Sequence, residues 1–151
     1  MARISRTSRK RRGGKLPMEE VIDLLVPVIE AVAEAHHRGV VHRDIKPENV
    51  FLVKGLRGPI PKLLDFGISK ISAADLRATE TGVMMGTPAY MAPEQIEGAS
   101  EADPRSDVWA LGVMMFELIA GRMPFEAKQT MPLFLAIARG TRRRSSRCTR
   151  R

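Results

Sequence analysis

Cysteine, aromatic residues and long apolar runs are all scarce in this chain, and each shortage excludes something. The 151 residues include a single cysteine, Cys148, so no disulfide can form within the chain and we expect a reducing, cytoplasmic setting. No apolar run reaches the roughly 18 residues of a membrane-spanning helix, and the N-terminus lacks the apolar core of a secretory signal, so we expect no membrane partner. Aromatic residues make up only 5%, and none interrupts the arginine-rich stretches, so we do not expect nucleic acid to stack there.

Acidic residues are missing from both ends of the chain. Residues 1–15 contain seven Lys or Arg, and residues 139–151 contain seven Arg, with no Asp or Glu in either stretch. The chain carries +8 overall, but the remaining 11 basic and 17 acidic residues give residues 16–138 a net charge of −6. We interpret 1–15 as a basic disordered segment or linker, 16–138 as the folded domain and 139–151 as an Arg-rich tail. Each basic stretch is either a solvated run or a polyanion-binding patch.

The first long periodic segment runs from residue 18 to residue 38. Its apolar residues recur at helical spacing and Gly39 follows it, which predicts a helix with a left-handed exit. Pro27 lies inside this helix and predicts a kink or two abutting helices. The apolar face consists of Val21, Leu25, Val28, Val32 and Ala35.

Short β-prone runs follow this helix. Residues 50–53 and 62–64 lie on either side of a Gly/Pro-rich turn at 55–61, which predicts a two-stranded ribbon. Residues 68–92 show no sustained period and predict a long loop.

Two further helices are indicated in the second half of the chain. Residues 107–120 are apolar on nearly every side, which is typical of a core helix, with Ser106 as its N-cap and Gly121 as its C-terminal stop. We expect a shorter helix over residues 131–138.

The segment His42–Asn49, with the sequence HRDIKPEN, carries most of the chemistry. It places the carboxylate of Asp44, the amine of Lys46 and the amide of Asn49 within six positions. Oxygen ligands and a mobile cation are what a polyanionic nucleotide and its metal ions require. Three more segments follow in order: Asp-Phe-Gly at 65–67, Gly-Thr-Pro-Ala-Tyr-Met-Ala-Pro-Glu at 86–94 and Ser-Asp-Val-Trp-Ala-Leu-Gly at 106–112.

Together these segments resemble the catalytic half of a Ser/Thr protein kinase, in the style of bacterial members of that family. The resemblance implies transfer of the ATP γ-phosphate to Ser or Thr hydroxyls of protein substrates, with Mg²⁺, or alternatively Mn²⁺, as the metal. It makes Asp44 the catalytic aspartate and Lys46 the lysine that neutralises the γ-phosphate. It makes Asn49 and Asp65 the metal ligands, and it places Phe51 under the adenine ring.

The resemblance also assigns supporting roles. His42 is structural, Arg43 pairs with a phosphate on the activation loop, and Asp107 holds the catalytic loop through the backbone of these two residues. Phe66 and Gly67 complete the metal-ligand tripeptide, where the glycine lets the following loop swing.

Residues 68–92 resemble an activation loop. Thr79 and Thr81 are candidate phosphorylation sites, with plain loop threonines as the alternative. Thr87 is expected to do structural work near the catalytic aspartate and lysine. Glu94 is expected to pair with an arginine from helices beyond residue 138.

The resemblance stops short of a whole kinase. No Gly-x-Gly-x-x-Gly and no strand with a Val-Ala-x-Lys pattern stands before His42, so we expect a truncated kinase without its N-terminal lobe. The fold class is then α+β: a partial kinase-like domain over 16–138, with a mainly helical large lobe and a small β-ribbon. We expect weak activity or none from this chain alone. A non-catalytic interaction module and a basic-tailed polyanion binder remain alternatives, and the sequence predicts no oligomeric state.

Overall fold

The computed structural model describes residues 2–3, 14–56, 58–64, 88–98 and 103–145, which form short strands and four helices. No helix among these residues combines the length and apolarity needed to cross a bilayer. In chain order the elements are β1 (Ala2–Arg3), α1 (Met18–His37), β2 (Val50–Gly55), β3 (Gly58–Leu63), α2 (Pro93–Ile96), α3 (Pro104–Ala120) and α4 (Thr130–Ser145).

Helix α1 is continuous through Pro27, so the alternative of two abutting helices is wrong. A proline at this position removes one backbone hydrogen bond, but packing of the apolar face outweighs that loss. The helix ends as predicted, because Gly39 adopts a φ of 75° and Val40 donates a backbone hydrogen bond to Ala35. Four residues of the predicted face are buried: Val21, Leu25, Val28 and Val32.

The predicted ribbon is present and is longer than expected. Strands β2 and β3 pair in antiparallel register from Val50 opposite Leu63 to Gly55 opposite Gly58, so the predicted turn at 55–61 was too long. Pro59 and Pro61 were interpreted as turn residues, yet both lie in β3. This strand is at the edge of the sheet, where proline is tolerated because its missing N–H can face away from the neighbouring strand.

A third strand, β1, was not predicted. It lies on the other side of β2, with Ala2 opposite Leu52 and Arg3 opposite Phe51. We expected these two residues in a disordered segment, because neither alanine nor arginine favours a strand and two residues show no alternation.

Helix α3 begins three residues earlier than predicted. Its N-cap is Asp103, whose carboxylate accepts a hydrogen bond from the backbone N–H of Arg105 at 2.8 Å, so the prediction of Ser106 as N-cap was wrong. The predicted stop is correct, since Gly121 caps the helix in a left-handed conformation with φ 72°.

Helices α1 and α3 pack together over the ribbon to form the main core. One face of α3 stays exposed, including Val108 at 63% exposure, so the prediction of a helix buried all round was wrong for that face. A smaller cluster forms where Trp109 stacks on Phe125, with ring centroids 5.9 Å apart, beside α4. That last helix continues to Ser145, past the boundary predicted at residue 138.

Candidate active site

Residues 42–49 connect α1 to β2, and a buried carboxylate from α3 holds the start of this loop. Asp107 is 1% exposed. Its Oδ2 accepts a hydrogen bond from the backbone N–H of His42 and its Oδ1 accepts one from Arg43, both at 2.8 Å. His36, in the last turn of α1, brings Nε2 within 2.7 Å of Oδ2. A buried carboxylate needs such partners to offset its lost hydration, so the loop is tied to both core helices.

Arg43 has an unusual backbone conformation. Its φ is 68°, the only positive value among the described residues other than glycine. A side chain in this left-handed region costs about 1 kcal/mol or more, and such strain persists only where the surroundings enforce it. The hydrogen bond that the backbone N–H of Arg43 donates to the carboxylate of Asp107 is part of that enforcement.

His42 is buried beneath the loop and uses both ring nitrogens there. Its Nε2 lies 2.9 Å from the carbonyl oxygen of Leu64, which can only accept, so Nε2 carries the proton and donates. The backbone N–H of Asp44 points to Nδ1 at 3.3 Å. The ring therefore links the loop to the end of β3, which is a structural role.

Three of the four predicted catalytic and metal-binding side chains converge on one point. The Nζ of Lys46 lies 2.9 Å from Oδ1 and 2.7 Å from Oδ2 of Asp44. The side-chain amide of Asn49 donates to the carbonyl oxygen of Asp44 at 2.7 Å and to its Oδ2 at 3.1 Å. Because the Asn49 nitrogen is committed to Asp44, its Oδ1 is the atom that can serve a hard cation as a ligand.

The fourth predicted side chain, Asp65, lies outside the described residues. Leu64, which precedes it, donates its backbone N–H to the carbonyl oxygen of Asn49 at 3.0 Å. Phe51 follows on β2, half-buried and opposite Lys62. The other predicted residues that lie outside the described part of the chain are Phe66, Gly67, Thr79, Thr81 and Thr87.

Residues 88–98 pack beside the loop and are anchored to α3. The hydroxyl of Tyr90 donates to the buried carboxylate of Glu117. Glu94 accepts a hydrogen bond from the hydroxyl of Ser106 at 3.0 Å. The arginine expected for Glu94 was placed beyond residue 138, and in the described part of the chain the serine is its hydrogen-bond partner.

Gln95 connects this segment to the loop at 42–49. Its Oε1 accepts the backbone N–H of Ala92 at 2.9 Å, and its Nε2 donates to the carbonyl oxygen of Arg43 at 3.3 Å. The amide therefore bridges the first turn of α2 and the strained residue before Asp44.

A family model of the protein kinase domain matches residues 2–149. The chain belongs to the protein kinase family. Among its relatives are the serine/threonine-protein kinase Pkn1 of Myxococcus xanthus, 46% identical over 114 residues, and PknL of Mycobacterium tuberculosis, 42% identical over 120. These alignments cover 75% and 80% of this chain, but only 16% and 29% of the relatives. The chain thus spans less than a third of the length of the kinases it matches.

Some residues that support the loop at 42–49 were assigned no role from the sequence, although each left a signal. His36 borders the buried face of α1, where a polar side chain needs a partner. Glu117 is the one carboxylate in the apolar stretch from residue 108 to residue 120, which indicates a buried hydrogen bond. Gln95 stands three residues after Ala92 and two after Pro93, the position from which a side chain can cap a helix start.

The described part of this kinase domain contains no group of three or more His, Cys, Asp or Glu side chains placed to hold a metal ion. The predicted ligand in the loop is the amide oxygen of Asn49, and its predicted partner, the carboxylate of Asp65, lies outside the described residues. An amide and a carboxylate oxygen suit Mg²⁺, which keeps several waters and takes few protein ligands.

Proposed function

We propose that this chain carries the phosphoryl-transfer centre of a Ser/Thr protein kinase. The observation that supports this most directly is the convergence of Lys46 and Asn49 on the carboxylate of Asp44. Phosphoryl transfer needs a proton acceptor for the hydroxyl, a cation for the phosphate and oxygen ligands for a metal at one place. The family of the chain points to the same chemistry.

In this proposal Asp44 orients the substrate hydroxyl and accepts its proton. Lys46 holds its ammonium group beside that carboxylate, where a positive charge can neutralise the oxygens of the transferred phosphoryl group. The backbone contacts of Asp107 keep the loop in place, so the groups need little reorganisation when substrate binds.

ATP and Mg²⁺, or alternatively Mn²⁺, are the ligands that this chemistry requires. Asn49 and Asp65 would hold the metal, and Phe51 would lie under the adenine ring. When bound, the metal supplies charge neutralisation at the phosphates. The substrates would be protein Ser or Thr hydroxyls in the reducing cytoplasm, a setting that suits the one cysteine of the chain.

We expect this chain alone to transfer phosphate weakly or not at all. The residues before His42 contain no Gly-rich loop and no strand lysine to hold the nucleotide from the other side. Orientation of the reactants lowers the reaction barrier by on the order of 7–11 kcal/mol in favourable cases. A site that holds the nucleotide from one side only loses much of this contribution.

A second candidate function is a kinase-like interaction module without activity of its own. Exposed apolar side chains on α1 and α3 favour it, because those on α1 recur every three or four residues and so share one face of the helix, and apolar surface patches mark interaction sites. On α1 they include Met18, Ile22, Val26 and Ile29, and on α3 Val108, Met115 and Phe116.

Phosphate incorporation separates the two candidates. The full chain is incubated with radiolabelled Mg-ATP and a generic basic protein, beside Asp44→Asn and the matched surface variant Asp23→Asn on α1. We expect a weak signal that falls about 100-fold or more in Asp44→Asn and is unchanged in Asp23→Asn. Transfer that is equal in all three proteins would overturn the proposed role of Asp44. No transfer above background in any of them would favour the interaction module.

A further inference from the structure

We propose that Gln95 is a positioning residue for Asp44, an inference that rests on the function proposed above. Gln95 follows the Ala92-Pro93-Glu94 motif and is assigned no role by it. Its side-chain amide holds the peptide group that leads into the catalytic aspartate and couples that group to the segment at 88–98.

A single peptide plane leads from Arg43 into Asp44. The carbonyl of Arg43 and the N–H of Asp44 belong to the same planar group. Gln95 donates to the carbonyl at 3.3 Å, and the N–H points to Nδ1 of His42, also at 3.3 Å. Rotation of this plane changes ψ of Arg43 and φ of Asp44, and wherever the two changes do not compensate each other it redirects the Asp44 side chain. Gln95 and His42 resist that rotation from opposite edges of the plane.

This plane needs such support, because the residue before it is strained. Arg43 has a φ of 68°, where a residue other than glycine is held only by its surroundings. Asp107 secures the preceding plane through the N–H of Arg43 at 2.8 Å. Gln95 secures the following one, so the two planes on either side of the strained Cα are held by different elements.

The amide of Gln95 suits both contacts because its two ends differ. One end must accept from the N–H of Ala92 and the other must donate to the carbonyl of Arg43. A carboxylate at this position can accept but not donate, and it would set a negative charge against the Arg43 carbonyl. A methionine of similar shape makes neither bond well. The two substitutions therefore separate the helix cap from the tether.

Amide hydrogen exchange, read residue by residue by NMR on the full chain, tests the tether without any need for activity. We expect the Asp44 amide to exchange about three- to tenfold faster in both Gln95→Glu and Gln95→Met. The Ala92 amide should be faster only in Gln95→Met, since the carboxylate still accepts its bond. Gln129→Glu, a matched charge change at an exposed residue, should leave both rates unchanged. Unchanged Asp44 exchange in both Gln95 variants would overturn the proposal.

A kinetic arm separates this inference from the function on which it rests. If the wild-type chain transfers phosphate, Gln95→Glu should lower kcat and leave KM for ATP unchanged, because the contact acts on Asp44. Faster Asp44 exchange with unaltered kcat would overturn the positioning role. If the wild-type chain transfers no phosphate, the interaction module is favoured over catalysis by this chain alone, while the exchange rates still decide whether Gln95 holds the peptide plane.

Discussion

Nε2 of His36 lies 2.7 Å from Oδ2 of Asp107, which joins the last turn of α1 to the first turn of α3. The same carboxylate accepts hydrogen bonds from the backbone of the loop at 42–49, so both core helices help to hold that loop in place.

Removing the histidine should weaken the fold. In His36→Leu the buried carboxylate loses one of its three partners, and we expect a loss of about 1–3 kcal/mol in the free energy of unfolding. His37→Leu is the matched control, since this neighbouring histidine is exposed. Urea denaturation of the two variants measures the difference, and equal midpoints would show that the contact contributes nothing.

Changing the carboxylate itself should cost more. Asp107→Asn leaves one oxygen to accept from two backbone N–H groups, and it turns an NH₂ group toward a donor. We expect a loss of about 2–4 kcal/mol, against about 0.5 kcal/mol or less for the exposed Asp23→Asn. Urea denaturation measures this loss. The anchoring role of Asp107 also predicts that the backbone amide of Arg43 exchanges faster in Asp107→Asn. A variant as stable as Asp23→Asn would contradict the anchoring role.

The strain at Arg43 can be probed with glycine and valine. Arg43→Gly removes the cost of the left-handed conformation but adds entropy to the unfolded chain, so stability should stay within about 0.5 kcal/mol. Arg43→Val places a β-branched residue at the same φ and should destabilise by about 1–2 kcal/mol. The ranking of the two thermal midpoints is the measurement. A valine variant at least as stable as the glycine variant would rule out strain at this residue.

Substitution by alanine should have opposite effects on stability at Gly112, inside α3, and at Gly121, which follows α3 as its C-cap. Gly112 lies inside the helix with open space where a Cβ would stand, so Gly112→Ala should stabilise by about 0.5–1 kcal/mol. Gly121 caps the helix at φ 72°, and a Cβ there would stand 2.8 Å from Cγ of Lys15. Gly121→Ala should destabilise by about 1 kcal/mol. Thermal melts of both proteins measure the effects, and shifts of the same sign would disprove this account of the helix end.

The charge of Lys46 should matter for chemistry and little for stability. Its ion pair with Asp44 is partly exposed, so solvent screens it and Lys46→Met should change the unfolding free energy by about 1 kcal/mol or less. Phosphate transfer, where the wild type shows it, should fall about 100-fold or more. Lys62→Met on the ribbon is the matched control with an exposed lysine. Full activity in Lys46→Met would contradict the role proposed for the ammonium group.

Much of the fold could be predicted from sequence, because the main signals are local. The period of α1, its buried face and the glycine that ends it follow from spacing and from the need for a positive φ. The position of Asp103 as N-cap was missed because Asp103 and Ser106 both suit a cap, and only tertiary packing moves Ser106 into the helix. Strand β1 was missed because two residues carry no period at all.

The candidate site was predictable where one short segment carries it. Asp44, Lys46 and Asn49 lie within six positions, so the loop that joins a helix to a strand brings them together. The contact of His36 with Asp107 joins residues 71 positions apart in the chain, and that of Gln95 with Arg43 joins residues 52 positions apart. Such contacts depend on how helices pack, which no local pattern specifies.

The two prolines of β3 have a consequence for assembly. Pro59 and Pro61 stand at alternate positions of an outermost strand, so the flank turned away from β2 offers no N–H donor at either one. A strand from another molecule that approached this flank could not donate and accept a full ladder of hydrogen bonds, because two of the N–H donors it would need are missing. The ribbon is thereby guarded against growing into an intermolecular sheet from that side.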